Sequence, residues 1–67
     1  MQGKTSHRVQ ATNGQIVVKN TSKETTQMII SSQDIGISVV KLSEDQLMSL
    51  IQSLAACLGQ RKNGYYY

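Results

Sequence analysis

The chain has 67 residues, a formal net charge of +3 and a hydrophobic content of 39%. A fold of this size buries little surface and commonly needs disulfides, a metal ion or oligomerisation to be stable. The single cysteine excludes an intrachain disulfide, and the single histidine is too far from it in sequence to suggest a metal site. We therefore expect one domain over residues 1–67, with flexible ends at 1–7 and 60–67, stabilised by other copies of the chain.

The hydropathy pattern also limits where in the cell the protein can be located. No apolar run is long enough to cross a bilayer, and residues 1–4 are not followed by the apolar core of a signal peptide. A lone cysteine fits a reducing compartment. We expect a cytoplasmic protein with no membrane partner. Its surface should be mildly basic, because the seven basic residues are spread without a block of like charge.

Asn13-Gly14 lies between two apolar segments and predicts the first β-hairpin. An Asn-Gly pair favours a type I′ turn, in which both central residues need a positive φ. That turn would place Val9 opposite Val18. It would also place Ala11 opposite Ile16, so that one face of the hairpin is apolar. The other face would be basic and polar, with Arg8 opposite Lys19 and with Gln10 and Val17 beside them.

A second hairpin is predicted after the polar connector 20–24. Residues 25–33 are rich in Thr and Ile and predict a third strand. Asp34-Ile35-Gly36 predicts a three-residue loop with its glycine in the left-handed region, followed by a fourth strand over 37–42. In that register the face that meets the helix would contain the pairs Ile30 with Val40 and Met28 with Leu42.

The segment after the fourth strand predicts where a helix begins. Ser43 can accept a hydrogen bond from the backbone of Gln46, whose side chain can reach back to Ser43. Leu42 can pack on Leu47 in addition. This capping box fixes a junction between a strand and a helix.

The helix is expected to run from Glu44 to about Leu58, with Gly59 as its C-terminal cap. Its apolar stripe consists of Leu47, Leu50, Ile51, Leu54 and Leu58. The sequence therefore predicts an α+β fold. A small antiparallel sheet of three or four strands, arranged as two hairpins, is followed by one C-terminal amphipathic helix packed on one face.

Apolar residues also fall on the sheet face that this helix cannot cover. They are Val17, Ile29, Ile37 and Val39. A second copy, packed sheet to sheet or strand to strand, would cover them. The alternative is that each residue lies singly in a half-exposed strand position, as is common in small proteins. We expect a homodimer or higher homo-oligomer with these four residues at the interface.

No group of residues indicates catalysis. His7 is expected in a solvent-exposed arm, and Cys57 is expected to be a buried, inert thiol on the helix. A turn and the helix start account for most of the acidic residues, and the five glycines are isolated, so that no phosphate-binding loop is present. The sequence predicts a protein that is not an enzyme and has no catalytic, cofactor-binding or metal-binding residue.

The C-terminal segment combines cations with aromatic rings. Its members are Arg61, Lys62, Tyr65, Tyr66 and Tyr67, and the tyrosines are all the aromatic residues in the chain. Such a combination suits phosphate contact with base stacking, and it equally suits anchoring to a protein. A solvated tail without function is the alternative. We expect these five residues, together with Arg8 and Lys19 of the first hairpin, to bind a partner.

The segment GISVVKLSEDQL at 36–47 resembles the last strand and helix start of the positive cofactor type of single-stranded-DNA-binding coactivators. The resemblance implies a helix that follows an antiparallel sheet, dimer formation and binding through aromatic and basic strand residues. The aromatic residues have no counterpart here, and Arg8, Lys19 and Lys41 would stand in for the cations. In its small size the chain is also similar to accessory proteins of bacteriophages and mobile elements.

Three functions fit these observations. The first is a non-enzymatic accessory module that homo-oligomerises and binds or inhibits a larger protein. The second is a single-stranded nucleic-acid-binding protein, and the third is an oligomer that sequesters a small molecule or nucleotide. Salt dependence separates the second from the others, because phosphate contacts weaken steeply as ionic strength rises.

Overall fold

The computed structural model describes residues 6–65, in which four antiparallel strands are followed by one helix. The elements are β1 (Ser6–Ala11), β2 (Gly14–Ser22), β3 (Thr25–Ser32), β4 (Gly36–Leu42) and α1 (Glu44–Lys62). The strands lie in the sheet in chain order, β1-β2-β3-β4. The predicted α+β fold, with two hairpins before one C-terminal helix, is confirmed. Of the predicted flexible ends, residues 6–7 belong to β1 and residues 60–62 to α1, and residues 1–5, 66 and 67 lie outside the described residues.

The first hairpin turns one residue earlier than the sequence suggests. Its turn is Thr12-Asn13, and Gly14 already pairs with Ala11 as part of β2. The predicted pairs are therefore wrong: Val9 lies opposite Ile16 instead of Val18, and Arg8 lies opposite Val17 instead of Lys19. No non-glycine residue in 6–65 has a positive φ, and Gly14 does not have one either, so that a type I′ turn at Asn13-Gly14 is not formed.

Gly14 is required for a different reason, which explains the shift. A Cβ atom on Gly14 would lie 1.9 Å from the backbone oxygen of Ser31 in β3. Only a residue without a side chain fits this close approach of two strands. The register moves by two residues, which keeps every side chain on its predicted face, because side chains alternate with a period of two.

The second hairpin is shifted in the same way. Gly36 has a φ of +82°, which confirms the left-handed residue, but Gly36 pairs with Ser32 and the loop is 33–35. The predicted pairs on this hairpin are wrong: Met28 lies opposite Val40, Ile30 opposite Ser38 and Thr26 opposite Leu42. Contacts with the first turn accompany the shift. The Gln33 amide donates to the Asn13 carbonyl at 3.1 Å, and Asn13 Nδ2 donates to Asp34 Oδ2 at 2.7 Å.

The helix start is the predicted capping box. Ser43 has extended backbone angles (φ −78°, ψ 177°), and its Oγ accepts a hydrogen bond from the Gln46 amide at 3.4 Å. Gln46 Oε1 accepts in turn from the Ser43 amide at 2.9 Å. Ser43 is the one residue between β4 and α1, so that this cap also sets the direction in which the helix leaves the sheet.

Replacement of Ser43 with alanine is expected to lower the free energy of unfolding by about 1 kcal/mol, because the Gln46 amide loses its acceptor. Denaturant titration followed by far-UV circular dichroism measures this. Ser49→Ala, on the exposed part of α1, is the matched control and should be neutral or slightly stabilising, since alanine has the higher helix propensity. A loss below about 0.3 kcal/mol in Ser43→Ala would contradict the role of the cap.

The helix ends later than expected. Gly59 is not its cap, because α1 continues through Gly59 to Lys62, and an interior glycine costs only about 1 kcal/mol. Gly64 has a φ of +86°. Two backbone hydrogen bonds close a Schellman motif there: Gly64 N–H to Arg61 O at 3.2 Å, and Tyr65 N–H to Gln60 O at 2.8 Å.

Strand pairing sorts the side chains of the sheet onto two faces. Face A carries the apolar residues Val9, Ile16, Val18, Met28, Ile30, Val40 and Leu42. Face B carries the apolar residues Val17, Ile29, Ile37 and Val39, together with the cations Arg8, Lys19 and Lys41.

The helix covers little of either face. Leu47 and Leu50 are half-buried, whereas residues 51–62 are all exposed. We call Ile51, Leu54 and Leu58 the helix stripe, and these side chains are 52%, 61% and 53% exposed. Packing of α1 on the sheet is thus confined to its first two turns.

No apolar side chain is buried among residues 6–65, where the one buried residue is Thr26. The Thr26 hydroxyl donates to Asn20 Oδ1 at 2.7 Å. The chain exposes 5961 Å², against about 4,200 Å² for a compact monomer of 7.4 kDa. Its radius of gyration is 13.9 Å, against about 11 Å for a compact chain of this length. The single chain therefore exposes more surface, and is more extended, than a compact monomer of its size.

Candidate interaction surfaces

The four residues predicted at an oligomer interface lie together on face B. Val17, Ile29 and Val39 form one row across β2, β3 and β4, and Arg8 of β1 continues that row. Ile37 lies in the adjacent row. Val17 and Ile29 are half-buried by their neighbours, while Val39 and Ile37 are exposed. The result is a continuous apolar strip three strands wide.

Cations and amides border this strip. Lys19 and Lys41 lie one row away, with Gln27 between them on β3. All four carboxylates lie elsewhere: Glu24 and Asp34 in turns, and Glu44 and Asp45 in the first turn of α1. Face B is thus a positively charged surface around an apolar centre.

Lys41 was named only through the resemblance to the single-stranded-DNA-binding coactivators and was not among the seven residues expected to bind a partner. The signal was present, because Lys41 alternates with Val39 and Ile37 along β4 and must therefore share their face.

The residues predicted to bind a partner are divided between two places. Arg8 and Lys19 lie on face B, whereas Arg61, Lys62 and Tyr65 lie at the far end of α1. Within residues 6–65, α1 contacts β3 and β4 but neither β1 nor β2, so that the structure does not join these two groups. Tyr65 is exposed although its amide belongs to the helix cap. Tyr66 and Tyr67 lie outside the described residues.

Face A and the helix stripe form a pair of surfaces that sequence reasoning missed. The sequence suggests that the helix covers face A. The structure leaves both surfaces open, because within α1 only Leu47 and Leu50 are half-buried and residues 51–62 are exposed. No lysine, arginine, aspartate or glutamate occupies a paired position on face A in the described part of the chain.

A shallow depression of about 400 Å³ lies at the end of the sheet where the two hairpin turns meet. Its lining consists of Gln10, Asn13, Gly14, Gln15, Ser31, Ser32, Gln33, Gly36 and Ile37. Gln10 Nε2 donates to the Gly14 carbonyl at 3.0 Å and is therefore already engaged. The lining has no cation to hold a phosphate group, which makes it a poor nucleotide site.

The nucleophilic and metal-ligating side chains do not converge. His7 lies in β1 opposite Val18 and is exposed. Cys57 is also exposed, so that its predicted burial is wrong, because the part of α1 that carries it projects from the sheet. Residues 6–65 contain no group of three potential metal ligands. Within the same residues, α1 is not apolar enough to span a membrane.

These surfaces have to be interpreted from their own chemistry. The order of sheet and helix implied by the resemblance to single-stranded-DNA-binding coactivators is present, but strands β1 to β4 contain no aromatic residue. No protein-family model, curated protein or solved structure matches this chain.

Proposed function

We propose that the protein is a non-enzymatic interaction module that acts as a homo-oligomer and binds or inhibits a larger protein through face B. The observation that carries this proposal is the apolar row Val17, Ile29 and Val39, framed by cations and amides. Protein interfaces have this anatomy, with an apolar centre and a polar rim. The module binds without supplying a nucleophile or an acid/base pair.

The charge of face B indicates the kind of partner. Arg8, Lys19 and Lys41 share this face with no carboxylate at its paired positions in β1 to β4. The complementary surface is an apolar patch bordered by aspartate or glutamate, because opposite potentials steer the encounter and reject wrong partners. A cytoplasmic setting is part of the proposal, since a reducing compartment keeps an exposed thiol such as Cys57 free.

A single-stranded nucleic acid is the second candidate partner. The same three cations favour it, because phosphate neutralisation supplies most of the affinity in such complexes. The absence of aromatic residues from the strands counts against it, since stacking on aromatic rings is the usual second contribution.

Capture of partners from host lysate, before and after nuclease treatment, tests the proposal. The wild-type protein should retain a protein partner after nuclease treatment, and Val39→Asp should reduce that capture at least tenfold, because it places a carboxylate in the apolar row. Gln52→Asp, on the exposed polar side of α1, is the control and should capture normally. Unchanged capture by Val39→Asp would contradict the role of face B. Capture that disappears with nuclease would favour the nucleic-acid candidate.

A further inference from the structure

Two apolar surfaces of this chain lack a cover. One is face A, where Val9 and Val40 are 56% and 40% exposed. The other is the helix stripe of Ile51, Leu54 and Leu58, all of which are more than half exposed. Exposed apolar surface of this extent marks an interaction site. Each surface therefore needs a partner surface. The two can serve each other, because a helix packed on a sheet is one of the standard layer arrangements of protein folds.

The chain cannot join these two surfaces within itself as it stands. One residue, Ser43, links β4 to α1, and the capping box holds its backbone extended. The helix contacts β3 and β4, but only Leu47 and Leu50 of its apolar residues are half-buried and residues 51–62 are exposed. The molecule is elongated, with a long axis of 45 Å. The stripe is carried away from the face that it would cover.

We propose that the helix stripe of one copy packs on face A of a second copy, and that the second copy returns the same contact, in a twofold symmetric homodimer. This inference rests on the homo-oligomer of the proposed function and names the surfaces that form it. In a twofold interface, a surface of one copy meets its complementary surface on the other copy. One chain supplies both complementary surfaces here, the helix stripe and face A.

The surface area agrees with this arrangement. The chain exposes 5961 Å², which exceeds the ~4,200 Å² of a compact monomer of its mass by about twice the ~800 Å² that each partner buries in a standard interface. A reciprocal contact removes excess surface from both the sheet and the helix. The dimensions also agree, since residues 47–62 of α1 span about 24 Å and four strands are about 14 Å wide.

Charge distinguishes face A from face B as the self-interface. Face B carries Arg8, Lys19 and Lys41, and in a symmetric dimer two such faces would bring like charges together. Face A carries no lysine, arginine, aspartate or glutamate at its paired positions, and its one titratable side chain there is His7 on the edge strand β1, so that the centre of face A can be buried without desolvating a charge. This reasoning replaces the argument for a self-interface at Val17, Ile29, Ile37 and Val39, which assumed that α1 already covers face A.

Complementation between two defective variants tests the exchange. Leu54→Asp damages the helix stripe, and Ile30→Asp damages the centre of face A. Each variant alone should fail to dimerise in analytical ultracentrifugation at micromolar concentration. In an equal mixture, the intact helix of the Ile30→Asp chain can pack on the intact face A of the Leu54→Asp chain. One of the two contacts is then native, so that the mixture should recover dimer and helical circular dichroism.

Two controls keep the result specific, even if the single variants fold poorly. A mixture of Leu54→Asp with Leu58→Asp cannot restore a native contact and should recover nothing. Ile29→Asp, on the neighbouring residue but on face B, should remain dimeric.

A wild-type monomer would overturn both this inference and the homo-oligomer of the proposed function. Two other results would overturn this inference alone. In the first, the wild type is a dimer but the mixture of Leu54→Asp with Ile30→Asp does not recover dimer. In the second, Ile29→Asp dissociates the dimer and Ile30→Asp does not.

Discussion

Gly14→Ala is expected to be the most damaging single substitution in the chain. Its Cβ would lie 1.9 Å from the Ser31 carbonyl oxygen and 2.8 Å from the Ser32 Cα atom. Both are backbone atoms of the central strand β3 and cannot move aside without breaking the pairing of β2 with β3. We expect a loss of about 3–5 kcal/mol in the free energy of unfolding, a magnitude that few single substitutions reach.

Gly59→Ala is the matched control for this prediction. A Cβ atom on Gly59 meets nothing within 4 Å, and the residue lies inside α1. The same substitution should therefore stabilise the protein by about 1 kcal/mol, because alanine favours the helix. Denaturant titrations should show a lower free energy of unfolding for Gly14→Ala and a higher one for Gly59→Ala. A Gly14→Ala protein as stable as the wild type would show that the strands do not approach so closely.

Leu54→Ala has the second largest expected effect. In the single chain Leu54 is 61% exposed, and its truncation would then change the stability by no more than about 0.5 kcal/mol. If the helix stripe packs on a second copy, the same truncation removes a buried leucine and should cost about 2–5 kcal/mol per protomer.

Thermal unfolding at several protein concentrations measures this effect together with its cause. The wild-type midpoint should rise with concentration, because dissociation accompanies unfolding. Gln52→Ala, on the polar side of the same helix, should behave as the wild type. An unfolding midpoint that does not depend on protein concentration, together with only a small loss of stability in Leu54→Ala, would show that the helix stripe is exposed to solvent.

Local sequence signals predicted the features that neighbouring residues determine. Ser43 and Gln46 form the capping box because Gln46 lies three positions after Ser43, within the first helical turn. Gly36 adopts a positive φ at the first position of β4, where the chain leaves the loop 33–35. Face B was also predictable, since the alternation that places Val17 beside Lys19 survives a register shift of two residues.

The exact register was not predictable from these signals. The two hairpin turns meet through Asn13 and Asp34, which are far apart in sequence, and Gly14 is needed for the approach of β3 rather than for its own turn. A tertiary contact thus determined which residues form the turn, and no local rule contains that contact.

The position of the helix was not predictable either. Its amphipathic pattern predicts that one side of the helix is buried, but it does not indicate whether the covering surface belongs to the same chain or to another. The length of the link between β4 and α1 decides how far the helix can return over its own sheet. The sequence predicts that this link is Ser43 alone, but the direction in which the capped helix leaves the sheet appears only in the structure.

The order of the strands in the sheet has a consequence for the rate at which the chain folds. Each strand pairs with its neighbour in sequence, so that every hairpin closes a short loop, and topologies of this local kind fold fast. The chain has no proline, which removes the slow isomerisation that delays many small proteins by tens of seconds. The sheet should therefore form in milliseconds in stopped-flow refolding, and any slower phase should accelerate in proportion to protein concentration, as expected for a collision between two chains.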